Sequence, residues 1–161
     1  MKSIQLSSVS HPTVLETGAR LLDGLLAEHV NVLMACGGRG RCATCHVYVE
    51  AGAASLSPMT DREQRTLQRI STCHTNSRLA CQARVLGPGV MVRVPGGEYA
   101  TDKQTIERLV GKRASSDILH PITGRVLAEA GRLITRTLIM QLRDVDFDVD
   151  AADPDRPPSR R

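Results

Sequence analysis

Three cysteines fall within the ten-residue stretch CGGRGRCATC, residues 36–45, and a fourth, Cys81, stands in RLACQ after a gap of 35 residues. The pattern is Cys36-x5-Cys42-x2-Cys45-x35-Cys81. Thiolates are soft ligands that select zinc or iron–sulfur clusters. Three on one loop and one far along the chain suit a [2Fe–2S] cluster, in which two tetrahedral irons share bridging sulfides and take four thiolates between them. The loop wraps one side and the distant thiolate closes the other. Gly37, Gly38 and Gly40 lack a Cβ and tolerate positive φ, so the backbone can curl and aim N–H groups inward. Arg39 and Arg41 lie in the same loop. A guanidinium facing the cluster would favour its more negative reduced form and raise the potential. Both are expected to face outward as a docking patch, because arginine is seldom buried unpaired.

Other uses of these residues leave more unexplained. A Cys₄ zinc knuckle built from Cys42, Cys45, Cys73 and Cys81 would strand Cys36 and the glycines. Disulfides need an oxidising compartment, yet the N-terminal MKSIQLSSVS has no apolar signal segment and no apolar run is long enough to span a bilayer. The expected location is the cytoplasm. Cys73 is expected to be a small buried apolar residue with no ligand role. His46 and His74 each follow a cysteine directly, which is not the spacing of a Rieske site. Neither is expected to bind metal, and Tyr48 is expected to pack. GGRGR lacks the Gly-Lys-Ser/Thr ending of a phosphate loop, and no nucleophile or acid–base constellation is present, so the chain is not expected to be an enzyme.

The elements that must position the cysteines follow from periodicity. KSIQLSSV, residues 2–9, alternates as a half-buried strand, and TVLETG returns from His11-Pro12 as the second strand of a hairpin. In residues 19–30, Leu21, Leu22, Leu25 and Leu26 suit one helix face. A strand leaves the cysteine loop at CHVYVEAG, and Thr60 to Glu63 form a capping box that predicts a helix over 61–71. VMVRV, residues 90–94, is a further strand. The order is β-β-α-loop-β-α-β, an α+β roll with a mixed sheet and a packed helix.

The 161 residues contain two Tyr, one Phe and no Trp, so the core must be aliphatic, and the scarcity argues against base-stacking recognition of nucleic acid. The net charge of +4 describes a mildly basic surface. Pro95-Gly96-Gly97 marks a boundary. Beyond it, residues 101–112 read as a helix with Thr101 as N-cap, GRVLAEAG as a strand and turn, 132–145 as a second helix and DVDFDVD, residues 144–150, as a charged edge strand. The Pro-rich residues 151–161 are expected to be disordered. The expected organisation is a cluster domain over 1–97, a small α/β extension over 98–150 and a tail over 151–161. In the extension, Leu138, Met140 and Leu142 offer an apolar seam for packing or for a homodimer.

CGGRGRCATCHVYV, LSPMTDREQRTL and RLACQ, in this order, resemble a [2Fe–2S] ferredoxin of the adrenodoxin-like and bacterial type, over residues 1–97. They are also similar to ferredoxin domains joined to some bacterial class III adenylate cyclases. The first gap of five residues departs from the plant-type gap of four. The resemblance implies a β-grasp fold and a one-electron carrier working between a reductase and an acceptor enzyme. It implies that Cys36 and Cys42 hold an outer, solvent-near iron and Cys45 and Cys81 an inner one. The cyclase-linked likeness implies a second function, a redox-sensing module signalling through its C-terminal extension. One departure is electrostatic. Adrenodoxin-like carriers dock through an acidic helix, but here DREQRTLQR carries Arg62, Arg65 and Arg69, which implies an acidic partner. Residues 117–142 faintly resemble small modules of the largest subunit of bacterial RNA polymerase.

Overall fold

The computed structural model of the chain describes residues 1–30, 32, 34–100, 103–142 and 147. Alternation makes Lys2–Leu6 a strand, β1, with Ile4 and Leu6 buried. The chain returns antiparallel as β2, Thr13–Leu15, with Lys2 opposite Leu15. Helix α1, Leu21–Ala27, buries Leu21, Leu22, Gly24 and Leu25. Leu26 was expected on the same face but is 38% exposed. At about 100° per residue it lies well round the helix from Leu21 and Leu25, and Gly24 takes the inward place, where a Cβ would come within 2.8 Å of Ile4 Cδ1.

After the cysteine loop come β3, His46–Ala51, α2, Asp61–Leu67, β4, Ser77–Leu79, and β5, Val90–Arg93. The five strands form one sheet in the order β2-β1-β5-β3-β4. β1 and β5 run parallel, Ile4 opposite Val90, and β3 runs antiparallel to both β5 and β4. With α1 and α2 packed on it, this is the α+β, β-grasp arrangement expected from the sequence. Strand β4 was not expected: Ser-Arg-Leu is too short for its pattern to register, and pairing with β3 makes it a strand. At the β3 exit Gly52 has φ +76°, and a Cβ there would fall 2.3 Å from the carbonyl oxygen of Gly89.

Beyond Pro95 a second sheet forms from β6, Glu98–Tyr99, β7, Ile118–Leu119, and β8, Val126–Ala128, in that order. Helices α3, Lys103–Glu107, and α4, Arg136–Gln141, accompany it. This part has its own core, including Ile106, Ile118, Leu127, Ile134, Leu138 and Leu142. The helix expected over 132–145 begins only at Arg136, where Thr135 Oγ1 accepts from Leu138 N. Before it, Ile134 exchanges backbone hydrogen bonds with Gly111 and Lys112, which keeps it extended. Leu138 and Leu142 turn inward while Met140 is 72% exposed, so the seam expected from those three is split between the core and the surface. The Thr101 cap, residues 151–161 and, apart from Phe147, the strand expected over 144–150 lie outside the described residues. Among the described residues no helix is long and apolar enough to cross a membrane.

Candidate metal centre

The register of β3 and β4 brings two distant cysteines together. His46 pairs with Leu79, and Ala80 N donates to Cys45 O at 2.9 Å, so the residues flanking the pair face each other across the strands. The Cys45 and Cys81 sulfurs lie 3.3 Å apart. At the other side of the loop the thiols of Cys36 and Cys42 form a second hydrogen-bonded pair. All four cysteines are buried. Among the described residues no three His, Cys, Asp or Glu side chains converge as a single metal ion requires. The sulfurs form two pairs instead.

Each pair titrates as a unit. Cys36 ionises far more readily than a free thiol because Cys42 donates to it, and because the N–H groups of Arg41, Arg39 and Gly38 overcome the cost of burial. Cys42 is pushed up in return. Cys81 is likewise lowered by donation from Cys45, with help from Gln82, and Cys45 is raised. Thr44 Oγ1 lies 3.0 Å from Cys42 Sγ, and Gln82 Nε2 donates to Cys81 Sγ at 3.5 Å.

Helix α2 explains why the loop N–H groups point inward. Side chains of α2 and of the turn just after it hold three consecutive loop carbonyls outward: Arg62 Nη1 donates to Arg39 O at 3.4 Å, Thr66 Oγ1 to Gly40 O at 2.6 Å, and, from the turn, Arg69 Nη2 to Arg41 O at 3.3 Å. Arg62 and Thr66, four residues apart, share one face of the helix, and Arg69 follows in the turn beyond its end. With its carbonyls fixed outside, a loop whose Gly37, Gly38 and Gly40 have φ of +68°, +76° and +73° presents its N–H groups to sulfur. Arg39 is exposed, with Nε on Cys36 O at 2.7 Å; Arg41 is half-buried.

Helix α2 is itself anchored by Glu63. Thr60 Oγ1 accepts from Glu63 N as the capping box requires. The Glu63 carboxylate, however, turns into the core, receiving Arg78 through Nε at 2.8 Å and Nη2 at 3.1 Å and the N–H of Leu79 at 2.9 Å. The acid expected to close the cap instead ties α2 to β4, two residues before Cys81.

The sequence left several of these residues unnoticed. Arg20 caps α1, holding Asp23 at 2.9 Å, and its pKa is raised by Asp23 and, further off, by negative charge on the Cys45–Cys81 pair. Thr66 and Gln82 carry no local signal of their roles, and the capping box at Glu63 gives no sign of its ion pair with Arg78. Cys73, expected to be buried, is exposed, its Sγ 3.6 Å from His74 O. It follows the short turn after α2, on the surface. His46 Nε2 lies 2.7 Å from Ser77 Oγ, and burial pushes the imidazole down to about 4, so it is neutral at pH 7. Tyr48 meets His46 edge-on and His74 at a tilt, and donates to Thr72 O at 2.8 Å. Cys36 and Cys42, which the resemblance put on the solvent side, are only 1% and 0% exposed, because Ile122 from the second sheet's connecting turn packs on them.

Two buried thiol pairs, a ring of inward N–H donors and a nearby guanidinium suit an anionic binuclear iron–sulfur group. Comparison with known proteins agrees. Residues 6–86 match the 2Fe-2S iron-sulfur cluster binding domain family, and the chain belongs to it. The 2Fe-2S ferredoxin of Escherichia coli K12 is 33% identical over 79 residues, covering 49% of this chain and 71% of that protein. The ISC-like [2Fe-2S] ferredoxin FdxB of Pseudomonas putida superposes with a TM-score of 0.55 and 25% identity, covering 59% of this chain and 93% of its own. The cofactor is therefore a [2Fe–2S] cluster and the function electron transfer. Separately, 56 residues are 46% identical to DNA-directed RNA polymerase subunit beta of Bdellovibrio bacteriovorus, 35% of this chain but 4% of that subunit. That relative is a subunit of the enzyme that residues 117–142 faintly resemble, and the subunit named is beta. So small a share transfers no polymerase function.

Proposed function

We propose that Cys36, Cys42, Cys45 and Cys81 hold the cluster and that the chain carries single electrons between a reductase and an acceptor enzyme without catalysing a reaction of its own. The observation behind this is the pairing of Cys45 with Cys81 across β3 and β4 beside the Cys36–Cys42 pair. When bound, such a cluster supplies reversible one-electron chemistry, at about −400 mV in plant-type ferredoxins. The chain's own residues do the rest. The N–H groups of Gly38, Arg39 and Arg41 and the side chains of Thr44 and Gln82 stabilise negative charge on sulfur, and Arg62, Thr66 and Arg69 hold them in that orientation. The cysteine arrangement favours two irons over one zinc, and Cys73, exposed and turned to His74, belongs to neither pair.

Residues 1–97 form the cluster domain in this proposal and 98–150 an accessory unit, each with its own sheet and core. Around the loop, Arg39 and Arg65 are exposed and Arg41, Arg62 and Arg69 half-exposed. That rim of cations favours partners with an acidic docking face, and its main effect falls on association rate and partner choice. Purified protein should be brown, with about two irons and two acid-labile sulfides per chain. Colourless protein holding one zinc would overturn the assignment. A second reading, a redox sensor, draws support from the contact between the loop and the accessory unit. It requires hydrogen exchange in residues 103–142 to differ between oxidised and reduced protein; identical exchange would eliminate it.

A further inference from the structure

The turn between β7 and β8, residues 120–125, bears directly on the cysteine loop, and its construction is specific. His120 Nδ1 accepts from the N–H groups of Ile122 and Thr123 at 3.1 and 3.2 Å, and Gly124 N donates to His120 O at 2.8 Å, so the turn is braced from within. Three attachments then seat it. Ala43 N, between Cys42 and Thr44 in the loop, donates to Pro121 O at 2.8 Å. Thr123 O accepts from both Ser71 N and Ser71 Oγ, at 2.8 and 3.0 Å, just past α2. Gly124, at φ +68°, sits so close that a Cβ would lie 3.2 Å from Thr72 Oγ1 and 3.3 Å from Ile70 Cγ2. Between these attachments Ile122, 6% exposed, packs against Cys36 and Cys42 in a small apolar cluster of its own.

We propose that this turn is a built-in cap on the cluster, with Ile122 as the residue that keeps water from the Cys36–Cys42 side. The inference rests on the ligand assignment above. Two effects of the cap on the redox equilibrium share a sign. A reduced cluster carries one more negative charge than an oxidised one, so excluding water disfavours reduction. The Ala43 N–H is spent on Pro121 O, so it is withheld from sulfur, and loss of a donor also disfavours reduction. The cap therefore lowers the potential and slows solvent attack on iron. It also places the accessory unit where a partner would otherwise approach Cys36 and Cys42, so electrons must pass beside Ile122 or over the arginine rim next to it.

The test uses full-length protein loaded with its cluster. Ile122→Ala opens the apolar contact, and Gly124→Ala dislodges the turn through backbone strain without touching Ile122. Both should shift the potential upward and release iron to a chelator about tenfold faster, as expected for loss of one local closing contact, while Met140→Ala, on the exposed side of the same unit, should match the parent. Parent potential and parent release rate in both loaded variants would overturn the cap and leave the ligand assignment standing. A colourless parent would overturn the ligand assignment and the cap with it. If the variants fail to fold, hydrogen exchange of the parent decides: a protected Ala43 amide supports the cap, and free exchange there overturns it.

Discussion

The two sheets reach stability by different routes. In the first, β1, β3 and β5 run to five, six and four residues and pair across long stretches of sequence, β1 with β5 and β3 with both β4 and β5. In the second, strands of two, two and three residues are held largely by turns and by a small core. Long-range register is costly in chain entropy and specific in outcome. It suits a candidate site whose paired cysteines, Cys45 and Cys81, have 35 residues between them in sequence. A unit built from short strands opens more readily, which suits an accessory that covers the site rather than makes it.

That contrast can be broken most sharply at the cysteines. Cys81→Ser should abolish the cluster and Cys73→Ser should leave two irons per chain, read by visible absorption and iron analysis; equal loss in both would show the fourth ligand misassigned. Next in size is the buried ion pair of the first region. Glu63→Ala strands Arg78 and the Leu79 N–H beneath α2 and should cost about 4 kcal/mol in urea unfolding, with bleaching in the same transition because β4 carries the chain to Cys81. In the second region Ile134, fully buried, is the corresponding probe. Ile134→Ala should cost about 3 kcal/mol, but the loss should appear as faster hydrogen exchange in residues 103–142 with cluster content unchanged. If the cluster is lost there too, the two regions unfold as one and the contrast fails. The smallest effect is expected at the rim. Arg65→Glu should change stability by less than about 0.5 kcal/mol and slow reduction by an acidic-faced reductase about fivefold at low salt, fading as salt rises.

Much of the first region was legible because its signals are local. Alternation marked β1, β3 and β5, a leucine stripe marked α1, and Thr60 marked the start of α2. The misses have physical causes. Leu26 has the right residue type but the wrong angle, and only the packing of Gly24 against Ile4 reveals which face turns inward. Glu63 reads as a cap partner because the motif is local, while its ion pair with Arg78 depends on a strand that exists only once paired. In the second region strands of two residues carry too little pattern to register, and the helix start at Arg136 was hidden because Leu133 and Ile134 continue its apolar run.

The sequence by itself determined the chemistry: four thiols at a spacing suited to two irons, glycines that free the loop backbone, and a basic helix in the place where an acidic one was expected. Only the tertiary structure decided how those parts act together. It paired Cys45 with Cys81, turned three loop carbonyls outward onto Arg62, Thr66 and Arg69, and laid Ile122 over Cys36 and Cys42. Residue types and spacings are written along the chain, whereas these contacts join segments far apart in it, and the packing of whole elements selects them.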